Sequence, residues 1–97
     1  MTNRLSEIQI IPIKPQNGLV AFASFVLDES IYLGSIGIMT RPQGGYRLVY
    51  PTKKVAERSL NIFYPINKEI AQVIETEVVK QFEEVMNNYD RHNRFNA

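Results

Sequence analysis

From Leu19 to Leu27 every side chain except Ser24 is apolar, whichever face of an extended chain it falls on. One face of that strand carries Leu19, Ala21, Ala23, Phe25 and Leu27, and the other Val20, Phe22, Ser24 and Val26. A strand apolar on both faces belongs at the centre of a sheet that is covered on two sides. Upstream, residues 5–13 are rich in isoleucine, and Pro12 and Pro15 predict an edge strand or its end. Gln16-Asn17-Gly18 between the two is a hairpin signal. Downstream, Asp28-Glu29-Ser30 is a turn and residues 31–39 a third strand, in which Gly34 and Gly37 mark a bulge or a close backbone approach. Arg41-Pro42-Gln43-Gly44-Gly45 is a loop. Residues 46–50 are a fourth strand, ended by Pro51, which has no N–H for a ladder. Residues 52–58 form a polar excursion, and residues 60–64 a short fifth strand.

The periodicity then changes. From Ile70 the apolar residues fall at Val73, Ile74, Val78, Phe82, Val85, Met86 and Tyr89, the stripe of one amphipathic helix. Asn67 is its N-cap, and Glu69 in the first turn suits the helix dipole. Val79 lies off the stripe and is free to touch a partner. Asn87-Asn88 weakens the helix, and residues 91–97 are expected to be a flexible tail. The expected fold is therefore α+β, a small antiparallel β-sheet of four to five strands with a C-terminal amphipathic helix, in one domain over residues 1–90.

Composition narrows the function by exclusion. The chain has 97 residues, 44% hydrophobic and 22% charged, as expected of one globular domain. A core this small gains from oligomerisation, and a partner subunit is the expected second cover for the central strand. There is no cysteine, so no disulfide, thiolate nucleophile or thiolate metal site, and an intracellular, cytoplasmic home is expected. No apolar run is long enough to span a bilayer, and no membrane partner is expected. His92, the single histidine, sits in the polar tail without a second His or Cys, so neither a metal site nor a catalytic triad is expected. Gly44-Gly45 is a turn rather than a phosphate loop. No enzyme activity, cofactor or small-molecule substrate is expected.

The net charge of +1 hides a segregation. Residues 41–68 carry Arg41, Arg47, Lys53, Lys54, Arg58 and Lys68 against Glu57 alone, and residues 69–90 are as strongly acidic. A near-neutral chain can thus present one basic patch. Tyr46, Tyr50, Phe63 and Tyr64 are interleaved with it, as base-stacking residues or as core. The acidic helix residues Glu75, Glu83 and Glu84 read as a solvent face.

Three blocks carry a family resemblance. Ala21-Phe22-Ala23-Ser24-Phe25-Val26-Leu27-Asp28 closes a strand of small residues. Gly45-Tyr46-Arg47-Leu48-Val49-Tyr50-Pro51-Thr52-Lys53-Lys54 ends a strand at a proline and a basic pair. Asn61-Ile62-Phe63-Tyr64-Pro65-Ile66-Asn67 opens the helix. In order and spacing these resemble the SpoVG family of bacterial sporulation and septation regulators, over roughly residues 8–85. The resemblance implies the same α+β fold, a homodimer, and a regulator of sporulation, septation and gene expression that binds DNA or RNA. It places nucleic-acid contacts on Lys53 and Lys54, with Arg47, Arg58, Lys68 and Arg41 in the same cationic segment. The chain departs from the family where charge matters: its first strand reads Ile8-Gln9-Ile10-Ile11 instead of arginine-rich, and Ala71 and Val73 stand in the first helical turns where the family often has Arg or Lys. A protein–protein interaction module on the same fold is the alternative.

Overall fold

The computed structural model describes residues 4–96, with side chains described over residues 4–88. Four strands follow one another as an antiparallel meander: β1 (Leu5–Gln16), β2 (Leu19–Leu27), β3 (Ile31–Thr40) and β4 (Tyr46–Val49). A separate two-stranded sheet pairs β5 (Thr52–Val55) with β6 (Arg58–Asn61). A single helix, α1 (Lys68–Asn96), ends the chain and lies across one face of the meander, reaching β1 and β4 at its two edges. The α+β arrangement is the one expected. The tail expected over residues 91–97, with His92, Arg91, Arg94 and Phe95, lies outside the described side chains, as does Tyr89 of the apolar stripe.

The turns have the backbone that tight hairpins need. Asn17 and Gly18 both take positive φ, 53° and 91°, which matches the twist of β1 and β2. At the next turn Asp28 and Glu29 do the same at 51° and 54°, and the Ser30 N–H donates to the Leu27 carbonyl at 3.0 Å. L-residues with a Cβ rarely hold that conformation, so this turn needs support. Arg4 supplies it with two hydrogen bonds to the Asp28 carboxylate, Nε to Oδ1 at 3.1 Å and Nη2 to Oδ2 at 3.0 Å. Those bonds hold the Asp28 carboxyl below its ordinary range, and Asp28 in turn raises Arg4.

Beneath the helix, Ala21, Ala23 and Phe25 of β2 and Ile36 and Ile38 of β3 meet Ile74, Val78 and Phe82 of α1, all buried. The helix residues are four apart and form one stripe. Alanines on the central strand let the helix come close. Fully burying each large side chain contributes about 1.5–3 kcal/mol. Asn67 caps the helix as expected: its Oδ1 accepts from the Ile70 N–H at 3.0 Å, and its carbonyl from the Ala71 N–H at 3.0 Å. Val73, expected on the buried stripe, lies at the rim, and Val79 is half-buried.

The strand register decides one expectation and corrects two. Of the two readings of its prolines, β1 takes that of an edge strand, and it runs through both to Gln16. As an edge strand it can point the missing N–H of a proline away from the ladder, and its pairing with β2 is irregular from Pro12 to Gln16. In β2 a register shift between Leu19 and Ala21 makes Leu19 and Val20 exchange faces. Val20 packs against the core, and Leu19 turns to the helix-free side, where a Cβ on Gly37 would lie 3.0 Å from its Cδ1. A second shift, between Ala23 and Phe25, places both Gly34 and Ser35 opposite Ser24, with Ser35 at φ 60°. This is the bulge its glycines announced. Finally, the polar excursion and the fifth strand are one hairpin, β5–β6, and residues 62–64 are not strand.

The sheet's outer face has no helix over it. Ile11, Phe22 and Val49 are 62%, 37% and 37% exposed there, with Leu19 and Met39 beside them. The reading of β2 as a strand apolar on both sides thus holds, with one face covered by α1 and the other open in the single chain.

Candidate nucleic-acid interface

Lys53 and Lys54 sit in β5 and Arg58 in β6, so the structure gathers three of the six expected cations into one hairpin. All eight strand residues of this arm are exposed. The arm leaves the body at Pro51, whose carbonyl accepts from the Ile62 N–H at 3.0 Å. Its root is seated by Tyr50 and Phe63, stacked edge to face with ring centres 6.0 Å apart. Burial, reinforced by the charge of Glu75, pushes the Tyr50 phenol up to about 12, so this ring stays neutral at physiological pH.

The other three expected cations are dispersed. Arg47 projects from β4 on the same face as Val49, its Nη2 3.7 Å from Met39 Sδ. Arg41 is engaged elsewhere: Nη2 pairs with Glu75 Oε1 at 2.9 Å and Nε donates to the Tyr46 carbonyl at 3.0 Å. It links the β3–β4 loop to the helix through a surface ion pair. Lys68 is exposed at the first position of α1. Among the described residues the ion pairs are Arg4–Asp28 and Arg41–Glu75, so Arg47, Lys53, Lys54, Arg58 and Lys68 have no carboxylate partner there.

The aromatic residues divide in favour of the core. Tyr46 meets Phe82 edge to face, centres 4.9 Å apart and planes at 71°, and Tyr50 and Phe63 are likewise packed together. Only Tyr64 is exposed among the four. Tyr46, Tyr50 and Phe63 are half-buried and paired edge to face, which leaves Tyr64 as the most open of the four for stacking on a base.

Two features of the arm carried little signal in the sequence. The first is the turn, Ala56-Glu57, which has no Gly or Asn. Ala56 nonetheless holds φ 56°, a conformation that costs roughly 1–2 kcal/mol for a residue with a Cβ. Ala56→Gly should accordingly stabilise the arm, read as slower amide exchange in β5 and β6 with little change in the global melt. The second is a run of exposed apolar residues along and beyond the arm: Val55, Leu60, Ile62, Tyr64 and Ile66, the last 90% exposed.

The sequence model of the SpoVG family matches residues 3–84, nearly all of the described fold, and the chain belongs to that family. A relative from Phytoplasma australiense, named for SpoVG and for septation, is 26% identical over 86 residues, covering 88% of each chain. No described helix is long and apolar enough to cross a membrane.

Proposed function

We propose that this chain is a cytoplasmic, non-catalytic regulator of the SpoVG type that binds DNA or RNA through the basic arm. The observation that supports this most directly is the arm itself. Three cations without described carboxylate partners project from a hairpin whose eight strand residues are all exposed. Exposed Lys and Arg that neutralise phosphates supply most of the affinity of such contacts, and that affinity falls with salt. The septation role in the relative's name is carried over as part of the same proposal. The test is a fluorescence titration of labelled nucleic acid with the whole chain at several salt concentrations. Saturable binding that weakens linearly on a log–log salt plot is the expected result, and no binding near physiological salt would sink the proposal.

In that last case the exposed apolar run from Val55 to Ile66 favours the second reading, a protein-docking module. We also propose a homodimer through the outer sheet face, where Phe22, Ile11 and Val49 form an apolar surface beside Leu19 and Met39. Light scattering should give twice the mass of the 11.2 kDa chain at tens of micromolar. A monomer mass there would overturn the assignment of that face.

A further inference from the structure

We infer that one side of the arm docks on an anionic membrane surface, with its apolar residues in the interface and its cations on lipid phosphates. The pairing of β5 with β6 is regular, Thr52↔Asn61, Lys53↔Leu60, Lys54↔Ser59 and Val55↔Arg58. Paired residues share a face, and successive residues alternate between faces. Lys54 and Ser59 therefore lie on one face with Thr52 and Asn61, and Lys53, Val55, Arg58 and Leu60 lie on the other. The two neighbouring lysines point in opposite directions. The bond from the Ile62 N–H to the Pro51 carbonyl carries the ladder one step further, so Ile62 falls on the face of Leu60. The ribbon is thus amphipathic. One face holds only hydroxyl, amide and ammonium groups, and the other holds Val55, Leu60 and Ile62 beside two cations. The three apolar residues are 46%, 47% and 59% exposed.

That split selects the partner. An amphipathic element with an apolar face and basic residues lies in the plane of a bilayer interface. Its binding adds the apolar area it buries to its attraction for anionic lipid. Such an element needs no apolar run long enough to cross the bilayer, so the run length that excludes a span does not bear on it. Lys53 and Arg58 suit the role because their stems can follow apolar surface while their charged heads reach the phosphates. Neither has a carboxylate partner among the described residues. Glu57, the one carboxylate of the hairpin, sits at its turn. A charge there resists tip-first insertion, so the arm lies on its side. The apolar surface continues beyond the arm to Tyr64 and Ile66, 55% and 90% exposed. A tyrosine is well placed at headgroup level, with its ring among apolar chains and its hydroxyl in water. An acidic protein would also answer the cations. It would have to enclose a ribbon whose eight strand residues all stand in solvent, whereas lipid rearranges around one.

The experiment is sedimentation of the whole chain with mixed phosphatidylglycerol–phosphatidylcholine vesicles and with vesicles of phosphatidylcholine alone. The chain should sediment with the first and stay in solution with the second. Lys53→Ala/Arg58→Ala should weaken the binding roughly 30-fold, about fivefold for each cation near an anionic surface. Leu60→Ser/Ile62→Ser should weaken it about tenfold or more, the worth of at least one apolar side chain leaving water. Both residues are exposed, so the melt should hold in that variant. The chain has no tryptophan, so Tyr64→Trp adds a single emission reporter. Its emission should shift to the blue on the anionic vesicles and not on the neutral ones. Equal binding to neutral vesicles would overturn the inference, as would binding that Leu60→Ser/Ile62→Ser leaves undiminished. No sedimentation with anionic vesicles would overturn it too, and would return the apolar run to a protein partner. No nucleic acid enters the measurement, so its failure leaves the functional reading above standing.

Discussion

Phe82→Ala should lower the stability of this protein by about 3–5 kcal/mol, the usual cost of deleting a buried phenyl ring. Phe82 is 3% exposed and fills the space where α1 crosses the sheet, its ring set edge-on to Tyr46 at 4.9 Å. Among the described residues the buried side chains of the helix are Ile74, Val78 and Phe82, flanked by the partly buried Ile70 and Met86, and Phe82 is the largest of them. A cavity left there loses the transfer energy of the ring and the edge-to-face attraction together. Small domains have about 5–15 kcal/mol in all, so this one change removes a large share. At roughly 4–8 °C per kcal/mol for a domain of this size, the melting temperature should fall by well over 10 °C. Val73→Ala, at the rim of the same helix, is the control and should shift it far less. An unchanged melt for Phe82→Ala would mean that α1 is not held to the sheet by this face.

The second large effect concerns binding. The Lys53→Ala/Lys54→Ala double variant should lose about 30-fold in affinity near 0.15 M salt, the counterion-release worth of two phosphate contacts, and its log–log salt slope should flatten by about two units. The loss should be uniform across sequences, because phosphate contacts carry no sequence information. Both side chains are fully on the surface, so the melt should move by no more than about ±0.5 kcal/mol in stability. Undiminished affinity and slope would move the site off the arm, to Arg47 and Lys68 first. Arg41 is a poor substitute, since Glu75 already holds it.

Much of the architecture was legible along the chain because it rests on local rules. Asn17-Gly18, the alternation in β4, the cap at Asn67 and the four-residue spacing of Ile74, Val78 and Phe82 each report a short-range constraint, and each is realised. The burial of Val73 was overestimated because a stripe gives direction but not how far the sheet extends beneath it. Leu19 and Val20 were assigned to the wrong faces because strict alternation assumes an unbroken ladder. One register shift reverses every residue beyond it. The arm was missed as a hairpin because Thr52-Lys53-Lys54-Val55 and Arg58-Ser59-Leu60-Asn61 are too polar to read as strands, and Ala56-Glu57 has no turn residue.

The same division runs through the candidate site. The sequence by itself determined that positive charge is concentrated between residues 41 and 68, since charge is counted without knowing where anything points. It also determined the absence of cysteine chemistry and the presence of the main antiparallel sheet and one helix. Only the tertiary structure decided how those charges are disposed. Arg41 folds back on Glu75, Tyr46 is drawn under Phe82, and Lys53 and Lys54, adjacent in the chain, face opposite ways. The physical reason is that a charge belongs to a residue, whereas a direction and a neighbour belong to the register and packing of segments far apart in the chain.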